Sequence, residues 1–118
     1  MPHLKIHTNL EVSEKNRDNI LIKSSKLVAS ELSKPEEFVM ITLKPSAQMI
    51  FAGTRDPVAF LELTSIGLPA KKTKELSRVI CELIETELNV SKNRVYVKFI
   101  DVHHSMWGWK GATLQSNT

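Results

Sequence analysis

Hydrophobic and polar positions in the first half of the chain predict a strand, a helix and a second strand. Alternating polar and apolar residues at 4–10 indicate a half-buried strand. Apolar residues at helical spacing over 17–31 indicate a helix. That helix is expected to end near Ser33, because Pro35 cannot continue it. The apolar run at 38–43 then predicts a buried strand.

The second half repeats this order. Residues 58–66 predict a strand, 72–88 show the cleanest helical period of the chain, and 94–100 alternate like a strand. Between the halves, 49–51 is a short strand candidate inside a loop rich in Gly and Pro. The tail at 106–114 predicts a small hairpin that turns at Lys110-Gly111.

These elements predict an α+β fold in one domain, residues 1–118. Two β-α-β repeats, about 2–44 and 58–102, would form a four-stranded mixed sheet with two helices on one face, followed by a C-terminal hairpin at about 106–115. Two helices leave the other sheet face uncovered. We therefore expect copies of the chain to cover it for one another in an oligomer.

Composition and charge narrow the functional classes. Charged residues make up 25% of the chain, and Cys81 is the single cysteine, so a soluble protein without an internal disulfide is expected. The start of the chain has no apolar segment of signal-peptide length, and no run is long enough for a membrane span. The net charge is +3, but the basic residues form no continuous stripe along the sequence. We interpret Lys71-Lys72-Thr73-Lys74 as the solvated start of a helix, and we expect no nucleic-acid partner. We expect a cytoplasmic location. Release from the cell by a route that needs no signal peptide is an alternative.

The amino terminus is the position with the clearest chemistry. Methionine is normally removed before a small second residue, which would free the secondary amine of Pro2. An ordinary α-amino group titrates at about 7.7–8.0, and burial or a nearby cation lowers that value. A free Pro2 nitrogen is therefore a candidate general base near neutral pH.

The chain resembles the macrophage migration inhibitory factor and D-dopachrome tautomerase family over nearly its whole length. The shared landmarks are short and occur in the family's order: Met1-Pro2 with Thr8-Asn9, Lys34-Pro35-Glu36, Met49–Gly53 with Asp56-Pro57, Ser65-Ile66-Gly67, Asn93-Arg94-Val95-Tyr96, and Gly108-Trp109 with Gly111-Ala112-Thr113-Leu114. The resemblance implies a homotrimer around a central channel, with three active sites at subunit boundaries. The closing Gly-Trp-Lys-Gly-Ala-Thr-Leu is most similar to plant and microbial members.

The same resemblance implies roles for individual residues. Pro2 matches the catalytic base, and Lys34 matches the pocket lysine that holds a substrate carboxylate or carbonyl oxygen. Ser65 and Ile66 match the pocket wall. The resemblance also implies further substrate-binding and rim positions: Tyr96, reaching in from the neighbouring subunit, Trp109 at the mouth, and His3, Phe38, Trp107 and Leu114 at the rim.

Several of these positions depart from the animal members of the family. Lys98 stands in place of a pocket asparagine, and if it points inward the site gains a second cation. Phe38 replaces a rim tyrosine, Trp107 a small aliphatic residue and Leu114 a phenylalanine. Residues 58–61 replace a Cys-x-x-Cys pair, so thiol redox chemistry is excluded.

Simpler interpretations stand beside some of these roles. Lys34 also suits a helix C-terminus through the helix dipole, and Tyr96 suits the core of a strand. Adjacent residues on a strand point to opposite faces, so His103 and His104 are poor joint metal ligands and no metal is expected. Cys81 is expected to be a buried structural thiol.

The sequence is compatible with three functions. The first is a cofactor-independent tautomerase that interconverts the keto and enol forms of small anionic substrates of the phenylpyruvate or dopachrome type, with Pro2 as base. The second is a cytokine-like signalling protein with a receptor partner, in which the pocket is secondary or vestigial. The third is an unrelated small-molecule role on the same fold.

Overall fold

Two strand–helix–strand units and a terminal hairpin form the regular structure of residues 1–114, the part of the chain that the computed structural model describes. Short 3-10 turns precede β2, α2, β4 and the hairpin. The strands and helices, in chain order within each type, are β1 (His3–Thr8), β2 (Met40–Lys44), β3 (Ala59–Ile66), β4 (Val95–Val102), β5 (Gly108–Trp109), β6 (Ala112–Thr113), α1 (Glu14–Leu32) and α2 (Thr73–Leu88).

The four long strands form one mixed sheet in the order β2-β1-β3-β4. Each unit contributes a parallel pair, β1 with β2 and β3 with β4, and the antiparallel pairing of β1 with β3 joins the units. In that central pairing Leu4 lies opposite Leu63 and Ile6 opposite Leu61. The predicted α+β fold with two β-α-β repeats is confirmed.

Both helices cover the same face of the sheet, because side chains from α1, α2 and alternate strand positions share one hydrophobic core. Its members include Leu4, Ile6, Ile20, Val28, Leu61, Leu63, Leu76, Ile80, Ile84 and Leu88. The intervening strand positions define a helix-free face, which carries His3, Lys5, His7, Thr42, Phe60, Glu62, Tyr96, Lys98 and Ile100. Neither helix covers that face.

The ends of two elements differ from the prediction for local reasons. Helix α1 begins at Glu14, earlier than expected, because the Ser13 hydroxyl accepts a hydrogen bond of 3.3 Å from the Asn16 amide. Strand β1 ends at Thr8 and does not reach residue 10. The Asn9 side chain accepts a hydrogen bond from the Val58 amide at 3.0 Å and donates to the Arg55 carbonyl at 2.9 Å, which draws the chain out of the sheet.

Two strand predictions need correction. Residues 49–51 form no strand; a single bridge between Phe51 and Thr54 closes a turn there. The apolar run at 38–43 is shifted, because Phe38 belongs to a 3-10 turn and the strand is Met40–Lys44. That strand is half-buried rather than buried, since it lies at the sheet edge.

The predicted hairpin is present, with Gly108 paired to Thr113 and Trp109 to Ala112. Lys110 and Gly111 form its turn with φ values of 53° and 77°. Two positive φ values suit a tight two-residue turn, and glycine adopts such a value without strain. The predicted hairpin end at 115 lies outside the described residues. Within residues 1–114, no helix has the length and apolar character needed to span a bilayer.

The shared core gives a stability prediction. Ile84→Ala removes a fully buried side chain of α2, whereas Ile22→Ala makes the same change at a side chain of α1 that is 55% exposed. We expect Ile84→Ala to lower the free energy of unfolding by about 2–5 kcal/mol, because it leaves a cavity in the core. Urea unfolding at one fixed protein concentration measures both variants. Equal effects of the two changes would contradict this placement of α2.

Candidate active site

A cavity of about 260 Å³ lies beside the amino-terminal end of β1. Chain segments distant in sequence meet there: the amino terminus, the residues that lead into β2, and the terminal hairpin. The cavity is lined by Met1, Pro2, His3, Glu37, Phe38, Val39, Met40, Trp107, Gly108 and Trp109. Most of these side chains are apolar, so a small ligand with an aromatic or aliphatic body would fit there.

Pro2 is held firmly at the base of this cavity. Its ring is fully buried, and its carbonyl accepts a hydrogen bond of 3.0 Å from the Met40 amide, which ties it to β2. Removal of Met1 would leave the Pro2 nitrogen as a secondary amine at the cavity wall. The strand pairing that begins at His3 fixes the position of that nitrogen.

The surroundings of the chain terminus disfavour a positive charge. The pKa of the Met1 amino group is lowered from its ordinary value of 8.0, first by burial and then by the charge of Lys34. Ser33 ends α1 in a left-handed conformation, and Lys34 follows it. The Lys34 amide donates a hydrogen bond of 2.9 Å to the Ala29 carbonyl. The helix end thus brings Lys34 close to the amine. Both roles suggested for Lys34, helix C-terminal cation and pocket cation, are compatible with this position.

The register of the central strand pair places Ser65 and Ile66 beside Pro2. His3 lies opposite Thr64, so the next position of β3 falls next to Pro2. Ser65 is buried, and its hydroxyl donates to the Ile66 carbonyl at 3.4 Å. Ile66 also lines a neighbouring cavity with His103 and His104. Neither Ser65 nor Ile66 lines the cavity beside Pro2, so the predicted pocket wall is not formed by these two residues within one chain.

The hairpin supplies the aromatic mouth of the site. The Phe38 and Trp109 rings meet edge to face, with centroids 5.6 Å apart. The Lys110 ammonium lies 4.4 Å from the centre of the Trp109 ring. Leu114 lies beside Trp107, because its amide donates to the Trp107 carbonyl at 3.1 Å. The predicted rim residues are thus gathered at one end of the sheet.

Two predicted substrate-binding residues do not reach this cavity within the same chain. In the sheet register Tyr96 pairs with Phe60, and Phe60 pairs with His7. Tyr96 is therefore level with His7, which is five residues, or roughly 17 Å, along the strands from Pro2. Lys98 pairs with Glu62, and Glu62 pairs with Lys5. Lys98 therefore lies two strand spacings from β1, which is about 10 Å across the sheet. Both project from the exposed helix-free face. Only a second copy of the chain can bring them to a Pro2.

Tyr96 is nevertheless held in a defined position. Its ring meets Phe51 edge to face at 4.9 Å, and the Arg94 guanidinium lies 5.1 Å from the Phe51 ring centre. Arg94 also donates to the carbonyls of Pro57, at 2.8 Å, and Phe51, at 3.1 Å. The loop that was expected to be irregular is therefore organised by one side chain, a role that sequence analysis missed.

Two other sequence interpretations are corrected. His103 and His104 do not point apart, because β4 ends at Val102 and His104 begins a 3-10 turn; their ring centroids are 4.1 Å apart. Cys81 is half-buried rather than buried and lines a shallow groove of about 530 Å³ with Arg78 and other α2 residues. Burial raises the pKa of its thiol. This groove is larger than the cavity at Pro2, but it lies between α2 and the segment that leads into β4, and no residue of the amino terminus lines it.

Glu37, Val39 and Met40 are cavity residues that sequence analysis did not select. Their position just before and at the start of β2 was the available signal, since that strand pairs with the first residues of β1. Among residues 1–114, no group of three or more His, Cys, Asp or Glu side chains is arranged to hold a metal ion.

Comparison with known proteins identifies the family to which the chain is similar. Residues 1–115 match the profile of the family described as macrophage migration inhibitory factor (MIF). The chain is 32% identical to macrophage migration inhibitory factor of Xenopus tropicalis and 34% identical to the homolog of Brugia malayi, in each case over 96% of this chain and 98% of the relative. Its structure is similar to that of the homologue from Prochlorococcus marinus, with a TM-score of 0.91, 32% identity, and coverage of 96% of this chain and 99% of the other.

The position of Lys34 predicts how the terminal amine titrates. In Lys34→Gln we expect the pKa of that amine to rise, because a cation that disfavours the ammonium form has been removed. The free-base fraction at neutral pH should fall accordingly. NMR titration of the amino-terminal residue measures the pKa, and Lys15→Gln at the other end of α1 is the matched control. An unchanged pKa in Lys34→Gln would remove Lys34 from the site.

Proposed function

Because the chain belongs to the macrophage migration inhibitory factor family, we propose that it is a tautomerase of small anionic keto acids with Pro2 as its general base. The observation that carries this proposal is the position of Pro2. It lies fully buried at the wall of a largely apolar cavity, directly after the Met1 amine, whose pKa is lowered by burial and by Lys34. The interconversion of keto and enol forms is a proton transfer, so the reaction needs no cofactor.

The proposed reaction follows from the groups around the cavity. The Pro2 nitrogen removes a proton from the carbon next to the carbonyl, the electron pair moves into the new C=C bond, and the oxygen becomes an enolate. The protonated Pro2 then delivers the proton to that oxygen. Lys34 stabilises the developing negative charge and attracts the substrate carboxylate. Phe38 and Trp109 hold an aromatic substrate ring at the mouth.

An oligomer completes the proposed site. Tyr96 and Lys98 are exposed on the helix-free face, far from the Pro2 of their own chain. We propose a homotrimer in which each cavity receives these two side chains from a neighbouring copy. Lys98 then gives the site a second cation beside Lys34, which favours substrates with a carboxylate. The helix-free face would be covered in the same assembly.

The role of Pro2 can be tested with phenylpyruvate as substrate. We expect the Met-trimmed protein to catalyse its tautomerisation, and Pro2→Gly to lose most of kcat, because a primary amine without the proline ring presents a different base in a looser position. A preparation that retains Met1 should also be inactive, since its Pro2 nitrogen is an amide.

Pro45→Gly is the matched control, because Pro45 follows β2 at the end of the sheet away from the cavity. Equal activity in the trimmed protein, Pro2→Gly and the Met1-retaining preparation would refute the proline mechanism. Inactivity of a correctly trimmed, assembled protein toward phenylpyruvate and a dopachrome-type substrate would refute the proposed enzyme class.

The shared site predicts complementation between two inactive variants. Pro2→Gly and Tyr96→Ala each damage every site of their own trimer. If the two are unfolded and reassembled together in equal amounts, roughly a quarter of the sites should combine an intact Pro2 with an intact Tyr96 from the neighbour. Activity should therefore return toward that fraction. Mixed trimers without any recovery would show that Pro2 and Tyr96 do not act across a subunit boundary.

A signalling role is the second candidate. Met106 and Trp109 are large apolar side chains that stay 78% and 43% exposed beside the cavity mouth, where a protein partner would find a contact surface. Pro2→Gly separates the two roles, because it should abolish turnover while leaving this outer surface unchanged. Both roles are compatible with one assembly.

A further inference from the structure

His3 is a second nitrogen base on the wall of the Pro2 cavity. It is the residue that follows Pro2, and it lines the same space as Pro2 and Trp107. Its Nε2 atom lies 2.9 Å from the Thr42 hydroxyl across the β1–β2 pair. Because one ring nitrogen is occupied by that hydrogen bond, Nδ1 is the nitrogen that is available to a ligand.

The surroundings of the His3 imidazole favour its neutral form. Its pKa is lowered from 6.5, first by burial and then by the charge of Lys5, while Glu62 on β3 acts in the opposite direction. Strand β2 presents the uncharged side chains of Met40 and Thr42 to it. Glu37 on the cavity wall and the terminal amine are the other ionisable groups of the cavity. A neutral imidazole donates one N–H and accepts at its other nitrogen.

We propose that His3 is the hydrogen-bond donor to the substrate's carbonyl oxygen, the atom that carries the negative charge in the enolate. In this arrangement the Thr42 hydroxyl donates to Nε2, which leaves the proton on Nδ1. The Nδ1–H group hydrogen-bonds the oxygen as charge develops and keeps its proton throughout, while Pro2 moves the proton between carbon and oxygen. This inference rests on the proposed tautomerase function.

The arrangement divides two tasks between adjacent residues. A neutral imidazole donates its N–H to the oxygen without adding a further positive charge to that of Lys34. A hydrogen bond that strengthens as negative charge develops stabilises the transition state more than the bound substrate, so it raises kcat rather than lowering KM. Lys34 adds its positive charge to this stabilisation, and Lys34 and Lys98 together attract the substrate carboxylate.

Two substitutions at His3 test the proposal with phenylpyruvate as substrate. His3→Met removes the donor and keeps an extended side chain, whereas His3→Gln keeps an N–H donor that does not titrate. Loss of one such donor costs about 10²–10³ in kcat in a site that excludes water. Because His3 is only partly buried, we expect His3→Met to lower kcat by a smaller factor, about tenfold to a hundredfold, with KM within about twofold. His3→Gln should retain kcat within about threefold. His7→Met, at the far end of the same strand face, is the matched control.

The outcomes distinguish this proposal from the proposed function. Loss of activity in Pro2→Gly together with full kcat in His3→Met would overturn the role of His3 alone. Equal losses in His3→Met and His3→Gln, or a change confined to KM, would also overturn it. If Pro2→Gly remains active, the tautomerase mechanism itself fails.

A second variant keeps the test decisive if His3→Met does not assemble, as judged by circular dichroism and gel filtration. Thr42→Val leaves the imidazole in place and removes the hydroxyl that orients it. We expect kcat to fall severalfold with KM little changed, because Nδ1 no longer holds the proton in every molecule. An unchanged kcat in Thr42→Val would overturn the proposed orientation.

Discussion

The antiparallel pairing of β1 with β3 joins two similar strand–helix–strand units into one sheet, and the remaining structure depends on it. Leu4 and Ile6 meet Leu63 and Leu61 in this pairing, and all four are fully buried. Side chains alternate between the faces of a strand, so a shift of one residue would expose all of them. The register is therefore strongly specified. It also decides that His3 faces away from the helices and that Ser65 comes to lie beside Pro2.

The same pairing explains why the site is apolar and why it disfavours a positive charge on the terminal amine. The first residues of β1 lie where the chain end, the start of β2 and the hairpin converge, and their packing partly buries the Met1 amine. Burial then lowers the pKa of that amine, and Lys34 adds to the effect from the end of α1. The fold around the terminal amine therefore determines its pKa. Changes at the aromatic mouth alter the fit of a substrate and leave this environment in place.

A sheet with helices on one side only also connects the fold to assembly. The helix-free face carries ionisable and aromatic side chains as well as apolar ones, among them Lys5, Glu62, Tyr96 and Lys98. Such a face suits an interface between subunits that also borders functional sites. Arg94 fixes the loop behind Tyr96 through several backbone carbonyls, so Tyr96 is presented in a defined direction.

The sequence alone determined the elements whose signals are local. Alternation in β1 and β3, the helical period of α2, the break at Pro35 and the Lys110-Gly111 turn each depend on neighbouring residues, so each was predicted close to its observed position. Pro2 was a candidate base from the sequence because it follows the initiator Met, but its selection as the catalytic residue also depended on the resemblance to a known family. The roles of the other site residues came from the resemblance to a known family.

Only the tertiary structure decided what depends on distant contacts. The half-buried state of β2 follows from its place at the sheet edge, and the end of β1 follows from hydrogen bonds of Asn9 to a loop more than 40 residues away. The juxtaposition of His103 and His104 follows from the end of β4, which no local pattern marked. The pairing of His3 with Thr42, and the separation of Tyr96 from the Pro2 of its own chain, follow from strand order and register. Several strand orders satisfy the same local pattern, so these features are fixed only when the strands pair.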